Sequence, residues 1–501
     1  MYTLAIDQST SATKLMLFDE HEQLCHRVTL EHAQYYPQAG WVEHDAEEIM
    51  QNIFQGAAQL LRESGVSEKD VQSVALTNQR ETVVVWEAAT GRPVCHAVVW
   101  QCQRGARICA DLREKGYTEM VQSKTGLLID PYFSASGVKW ILDNVPGARE
   151  KADVGQLRMG TMDAWMIWHL TGGRVHACDR TNASRTMLYN IHTLDWDDEL
   201  LSLLGIPRSM MPEVHLCDEI YGTTTFNGLF SHELPIAGVL GDSHGALVGQ
   251  VCFSQGLGKA TYGTGSSVMV NIGEQPRQAP QGLVTSVGFA AQGKTWYAFE
   301  GNIHCTGATI KWMVDDLALI GSSAESEALA TSVPDTDGVF FVPAFAGLGA
   351  PWWQSEARAM ICGMSRGTQK AHVVRAALEA IAYQVKDLVD LMTRQAGISL
   401  RELRVDGGPA KNRFLMQFQA DMLDALVNVS PIAEASALGA VLMNSLAMKR
   451  RSSLEEIAVL RHSSEIIAPK MSEAEREKRY ASWIKAVKGC IALSQSLSDN
   501  H

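Results

Sequence analysis

Two strand–turn–strand signatures, one at the N-terminus and one past the middle, constrain this chain more than any other feature. At the start, the apolar run at residues 2–6 meets KLMLF at 14–18 across Asp7-Gln8-Ser9-Thr10-Ser11-Ala12-Thr13, a turn built almost wholly of small hydroxylated residues. A third run at 25–30 predicts an antiparallel meander, not the strand–helix alternation that begins a dinucleotide fold. The same grammar returns at residues 260–270, ATYGTGSSVMV, with a further strand at 295–299. Between and after these lie a predicted helix at 46–63 stopped by Gly65, strands at 71–76 and 82–86, a long amphipathic helix at 369–392, and a strand at 403–405 running into Gly407-Gly408. The layout recurs without any residue-by-residue repeat. It predicts an α/β protein of two similar halves, residues 1–248 and 249–501, with the boundary falling near 246–252.

Length supports two cores, since 501 residues exceed what one ordinary core accommodates. Hydrophobic residues make up 46% and charged residues 20%, which leaves no disordered bulk to explain. With 43 basic against 56 acidic residues the formal charge is -13, so non-specific nucleic-acid binding is not expected. The ten cysteines include no C-x-x-C pair, and reduced, mostly buried thiols are expected. No run of about 20 apolar residues occurs, and the first residues lack a basic segment followed by an apolar core. A soluble cytoplasmic protein with no membrane partner is the expectation. The tail from about residue 470 reads as a charged surface helix with a solvated face.

An acidic protein that handles phosphates must concentrate positive potential locally. Three turns suit this: residues 7–13, Gly263-Thr264-Gly265-Ser266-Ser267, and Asp406-Gly407-Gly408-Pro409-Ala410-Lys411-Asn412. Turns without bulky side chains let backbone N–H groups and hydroxyls reach phosphate oxygens. An acidic residue heading the first turn suits Mg2+, which takes one or two carboxylates plus phosphate oxygens. Two α/β halves that each open with such a hairpin predict a nucleotide gripped in the cleft between them. The P-loop pattern, G-x-G-x-x-G, H-E-x-x-H and the protein-kinase motifs are all absent.

Longer motifs narrow the reading. TNQRET from Thr77, VWQ from Val99, IDPYFS from Ile129, TNASRTMLYNIHTLDWDDELL from Thr181, VPAFAGLGAPWW from Val342 and LRVDGGPAKNRFLMQF from Leu403 resemble the glycerol-kinase branch of the FGGY carbohydrate-kinase family. The likeness runs along nearly the whole chain and thins in the C-terminal tail. It implies two ribonuclease-H-like, actin-like ATPase domains closing on an interdomain active-site cleft. It implies an ATP-dependent phosphotransferase acting on a hydroxyl of glycerol or a related small polyol, with a dimer or tetramer common among relatives.

Carried over by position, the resemblance puts Asp7 beside Mg2+, Thr10 and Ser11 beside the transferring phosphate, and Lys14 near the β-phosphate. Thr264, Gly307, Lys311, Gly408 and Asn412 would line the ATP site. Arg80, Glu81, Trp100 and Tyr132 would hold the polyol, and Asp242 matches the catalytic base. A carboxylate within reach of an alcohol accepts its proton as the bond to phosphorus forms. On its residues alone, Asp242 reads equally as a helix cap. Arg80 and Glu81 read also as a pair with each other on a surface loop, and Trp100 as plain core. His244 reads as a structural histidine, and Cys102 and Cys305 have no activating neighbour in sequence.

Four departures from the branch bear on substrate and regulation. Ser243 stands where its members carry Gln, and Ser267 where they usually carry Phe; both open and polarise the acceptor pocket. A longer polyol or a ketose, such as a tetritol, tetrulose or pentulose, is therefore the alternative substrate. In the phosphate turn Ser9 replaces Gly and Lys14 replaces Arg, keeping charge but losing the guanidinium fork. Residues 221–233 lack the Gly-Gly-Lys-Gly-Gly-Thr-Arg loop of some bacterial members, and the phosphorylated His of others has no counterpart, so neither form of regulation is expected. A non-catalytic, nucleotide-gated binding protein is the distant alternative.

Overall fold

In a computed structural model of the chain, which describes residues 1–432, 434–459 and 465–498, the opening meander forms as expected. Strands β1 (Tyr2–Gln8), β2 (Ala12–Phe18) and β3 (Leu24–Glu31) pair antiparallel. β4 (Val71–Asn78) then joins β1 in parallel, and β5 (Leu234–Gly241) joins β4 in parallel. The sheet order is β3–β2–β1–β4–β5, with Ile220–Thr224 as an outer edge. β1, β4 and β5 are buried on nearly every residue, as strands covered on both faces must be.

The second half repeats the order. β6 (Leu257–Tyr262), β7 (Ser266–Gly273) and β8 (Lys294–Ile303) form an antiparallel meander, and β9 (Glu402–Gly407) and β10 (Leu426–Val429) add in parallel. Val284–Ala291 and Glu465–Ile467 extend its two edges. Each sheet thus has three antiparallel strands followed by two parallel ones, the ribonuclease-H-like arrangement expected from the sequence.

Helices cover the sheets where their apolar faces allow. α1 (Ala46–Ser64) starts at Asp45, whose carboxylate accepts from the backbone of Glu47 and Glu48, and stops at Gly65 in the left-handed region. Its Gly56 lies against Leu15 and Leu30 of the first sheet. In the second half, α4 (Lys370–Ala396) is the long amphipathic helix expected. α7 (Glu473–Ser498) corrects the reading of the tail as a solvated face. Its Trp483, Val487 and Cys490 are buried. The Trp483 indole and the Tyr480 hydroxyl donate to Asp387 of α4 at 3.0 and 2.6 Å, and Trp352 donates to the same carboxylate at 3.1 Å. Burial pushes that carboxyl up to about 6, and the three donors oppose the shift.

Two helices join the halves. α2 (Asp242–Gly249) follows β5, and α6 (Ala435–Ala447) comes from late in the chain but packs on the first sheet. Asn444 of α6 donates to the carbonyls of Val74 and Ala237 at 3.0 and 2.8 Å and accepts from Ser73 at 2.8 Å. α2 and α6 meet backbone to backbone. A Cβ on Gly439 would lie 1.9 Å from the Gly245 carbonyl oxygen, and one on Gly249 would lie 2.0 Å from that of Ala435.

Replacing Gly439 with Ala should therefore force the two helices apart and lower stability by about 1–3 kcal/mol. Gly489→Ala in α7, where an added Cβ meets nothing within 4 Å, should be neutral or stabilise by about 0.5–1 kcal/mol through helix propensity. Urea unfolding midpoints of the two variants check the contrast, and equal effects would contradict the close crossing.

Candidate active site

The first small-residue turn is held by its own atoms: the Ser9 backbone N–H donates to the Ala12 carbonyl at 2.9 Å, and so does the Ser9 hydroxyl. This leaves Asp7 at the end of β1 facing the cleft. Its carboxylate lies 3.5 Å from the Lys14 ammonium, which donates to Glu434 at 2.8 Å. Glu434 also accepts from Arg27 at 2.6 Å. Burial pushes the Asp7 carboxyl up to about 6; Lys14 opposes the shift, while Asp242 and Glu434 add to it.

Across the cleft the other two turns are interlocked. The backbone N–H groups of Gly307 and Ala308, which begin α3 (Gly307–Asp315), donate to the carbonyls of Gly263 and Thr264 at 2.9 and 3.0 Å. Gly407 has φ 97°, and a Cβ there would strike the Tyr262 carbonyl at 2.0 Å, so this turn requires glycine. Asn412 caps α5 (Arg413–Leu423) by accepting from the Leu415 N–H at 2.9 Å. A chamber of about 500 Å3 opens between the halves, lined by Asp7, Lys14, Thr261, Gly408, Lys411 and Glu434 among others.

Beside this chamber runs a chain of charges, buried except at its Asp242 end. Arg80 and Glu81 sit where the polypeptide leaves β4, Glu81 with φ 63°. The sequence left open that the two pair with each other; each instead pairs elsewhere. The Arg80 guanidinium makes a two-pronged contact with Glu300 of β8, 2.8 Å on each prong, and its Nε lies 3.2 Å from Asp242. Arg185 Nε donates to Glu81 at 2.5 Å, and its NH1 lies 2.9 Å from Glu300. Asp242, Arg80, Glu300, Arg185 and Glu81 therefore alternate in sign along one line. Burial raises the Glu300 carboxyl, but Arg185 and Arg80 more than offset it and hold it well below the usual range. Burial raises Glu81 against the opposing pull of Arg185 and Arg80. Tyr132 packs edge-on against Trp100 at 5.5 Å, and the Trp100 indole donates to Thr10 at 3.0 Å.

The second sheet turns two ordered rows toward this line. Residues paired across strands share a face. Asn302, Ser267, Thr261 and Asp406 make one row, and Glu300, Met269, Lys259 and Arg404 the next. A chamber of about 300 Å3 lies over them, lined by Asp242, Ser243, Lys259, Thr261, Gly263, Gly265 and Ser267. Ala246, Thr261 and Ser436 line both chambers, so the two adjoin.

The structure thus brings Asp7, Lys14 and Gly408 to one chamber, Asp242, Ser243 and Ser267 to the adjoining one, and Arg80 and Glu81 to the ionic line beside them. Thr10, Trp100 and Tyr132 form a contiguous aromatic-hydroxyl wall. Lys311 projects to solvent, with its ammonium 3.9 Å from Asp315. Thr264 and Ser11 are exposed at their turns. His244 is buried and contacts the Ser286 hydroxyl at 3.3 Å, and Cys102 and Cys305 are buried thiols. Sequence reasoning missed Arg185, Glu300, Lys259 and Glu434. The only signal each gives is a lone charge in or beside an apolar run. Among the described residues no cluster of three or more His, Cys, Asp or Glu has metal-ligand geometry, and no helix is long and apolar enough to cross a membrane.

Comparison with known proteins agrees with this geometry. The N-terminal domain of the FGGY family of carbohydrate kinases matches residues 2–249 and its C-terminal domain matches residues 258–448. Glycerol kinase 2 of Thermotoga maritima is 49% identical over 486 residues, covering 97% of this chain and 98% of that protein. The crystal structure of Plasmodium falciparum glycerol kinase with ADP superposes with a TM-score of 0.93 at 36% identity, covering 98% of each chain. A ligand-bound xylulose kinase from Lactobacillus acidophilus shares the fold, with a TM-score of 0.85 at 18% identity, covering 100% of this chain and 98% of the other.

The buried ionic line makes its own prediction. Glu300→Gln leaves two buried guanidinium groups short of a counter-charge and should cost about 3–5 kcal/mol. Denaturant unfolding of the variant measures this, and a loss below about 1 kcal/mol would show that Arg80 and Arg185 do not depend on it.

Proposed function

The chain belongs to the FGGY family of carbohydrate kinases, and we propose that it transfers the γ-phosphoryl group of ATP to a hydroxyl of a small polyol, with glycerol as the reference acceptor. One observation carries the reading: the chamber bordered by the phosphate-sized turns and the chamber holding Asp242 adjoin, sharing Ala246, Thr261 and Ser436 in their walls. A donor in the first and an alcohol in the second would meet at Asp242.

In this mechanism the Asp242 carboxylate accepts the acceptor's proton as its oxygen attacks phosphorus. Arg80, 3.2 Å away, keeps that carboxylate oriented. The remaining N–H donors of Arg80 and the second oxygen of Glu81 are available to neighbouring hydroxyls, with Trp100 and Tyr132 closing over the carbon chain. Lys14 and the backbone amides of the three turns would bear on the phosphates, which is where most of the catalysis in phosphoryl transfer resides. Thr264, Gly307, Lys311, Gly408 and Asn412 would surround the nucleotide, with Thr10 and Ser11 near the transferring group.

Asp7 is the residue that would hold Mg2+. A buried carboxylate pushed up to about 6, with two further carboxylates adding to the shift, is short of positive charge, and one such group plus phosphate oxygens is the donor set Mg2+ prefers. Bound there, the ion would neutralise phosphate charge. The same reading makes the protein cytoplasmic, in keeping with ten free cysteines. Ser243 and Ser267, small hydroxyls in the acceptor chamber, favour a longer polyol or a ketose as a second acceptor class.

Asp242→Asn should lower kcat by roughly 100- to 10,000-fold while ADP affinity, followed by calorimetry, stays within about 3-fold of the parent. An unchanged kcat removes the base assignment, whereas no turnover by the parent would favour a nucleotide-gated binding protein. A second prediction concerns pH. Asp7 must be ionised to hold a cation, so Mg2+-nucleotide affinity should weaken as pH falls through about 6. Asp7→Asn should bind weakly at every pH and lose this dependence. A parent whose affinity is flat between pH 5 and 7 would exclude Asp7 as the ligand.

A further inference from the structure

Lys259 is the one buried cation of the acceptor chamber that the mechanism leaves unused. It stands on β6 and is 1% exposed, among the most enclosed side chains of the protein. An ammonium carries three N–H donors. Here two are directed at hydroxyls, Ser267 at 3.2 Å and Thr261 at 3.4 Å, both long for charge-assisted hydrogen bonds. The third has no acceptor among the described residues, and none of their ion pairs includes Lys259. By contrast Arg80, Arg185 and Lys14 each contact a carboxylate at 2.9 Å or closer. Burying a charge with only weak partners is costly unless a ligand completes it.

Its position identifies the ligand. Lys259 lines the chamber beside Asp242, Ser243 and Ser267. It lies one row below Ser267 and Thr261 on the cleft-facing side of the sheet. None of Arg80, Glu81, Trp100 and Tyr132 lines this space, and Asp242, which Arg80 contacts at 3.2 Å, borders it. Asp242 borders the chamber, and Asp406 and Glu300 act on Lys259 electrostatically. An acceptor bearing its own carboxylate would meet this negative field, whereas a neutral carbonyl or hydroxyl oxygen would not.

We infer that Lys259, together with Ser267 and Ser243, forms a specificity subsite for a neutral acceptor of four or five carbons, with Lys259 donating to an oxygen on the carbon chain beyond the third carbon. The subsite rests on the kinase reading above. The oxygen of the incoming chain supplies the acceptor that the third N–H lacks, and Ser267 leaves the space through which it arrives. Burial also holds the ammonium's pKa below the usual lysine range.

The test is an acceptor panel of glycerol, erythritol, erythrulose and erythronate, run with ATP on the parent enzyme, Lys259→Met and Lys259→Gln. The parent should phosphorylate erythritol or erythrulose with kcat/KM at least equal to that for glycerol and leave erythronate untouched. In Lys259→Met the ratio of four-carbon to glycerol kcat/KM should fall by about 10- to 100-fold, and Lys259→Gln, which keeps donors without the charge, should recover part of it. Thermal unfolding with and without ADP verifies that each variant is folded. An equal loss on every acceptor would mean that Lys259 serves the phosphoryl group and would overturn the subsite. So would preference of the parent for glycerol by a wide margin, which leaves the kinase reading intact. Failure of the parent on every acceptor defeats the kinase reading and the subsite together.

Discussion

The contact between Arg80 and Glu300 is the constraint around which the site is arranged. Arg80 leaves the first sheet and Glu300 stands on the second, so their two-pronged pair closes the floor between the halves. Neither group is stable there alone, because an unpaired buried charge costs several kcal/mol. Pairing them fixes everything attached. Arg80 presents its Nε to Asp242, and Glu300 presents its remaining face to Arg185, which in turn holds Glu81. The line therefore does more than neutralise charge. It orients the Asp242 carboxylate at one end and the Glu81 carboxylate at the other.

Repetition of one sheet order explains why the small-residue turns oppose each other. In each half the first hairpin turn lies beside the C-terminal end of the parallel strand that follows, as Asp7 lies beside Thr77 and Thr261 beside Asp406. Ligands in open α/β sheets gather at such ends. The close glycine crossing of α2 and α6 then sets how far apart the two turns sit, because Gly245 and Gly439 allow backbone contact where any larger residue would wedge the helices. α2 begins with Asp242, so the contact that spaces the halves also positions the carboxylate between them.

What the sequence disclosed follows from how local each signal is. The meander at residues 2–30, α1 with its Asp45 and Gly65 caps, and the three small-residue turns are written in contiguous residues, and all were legible. The positions proposed for polyol and nucleotide rest only on long ordered motifs resembling a family. Arg185 lay inside one of those motifs yet gave no hint of its role, since its partners Glu81 and Glu300 are remote in sequence. Glu434 was invisible for the same reason, its partners Lys14 and Arg27 lying at the other end of the chain. In α7 the charged residues dominate the composition and conceal the buried stripe of Trp483, Val487 and Cys490, whose docking on Asp387 no local pattern announces.

Charge balance links the departures at Ser243 and Ser267 to Lys259. A large apolar group at position 267 would separate the chamber from the ammonium below it and leave the lysine as a sealed structural charge. A serine there does the opposite: its hydroxyl receives one N–H and relays the lysine's polarity to the chamber surface. With Asp242 bordering the same space and Asp406 and Glu300 acting on the ammonium, the chamber favours neutral oxygen atoms over an added negative charge. The size of the pocket and its polarity then change together, and the acceptor that suits one suits the other.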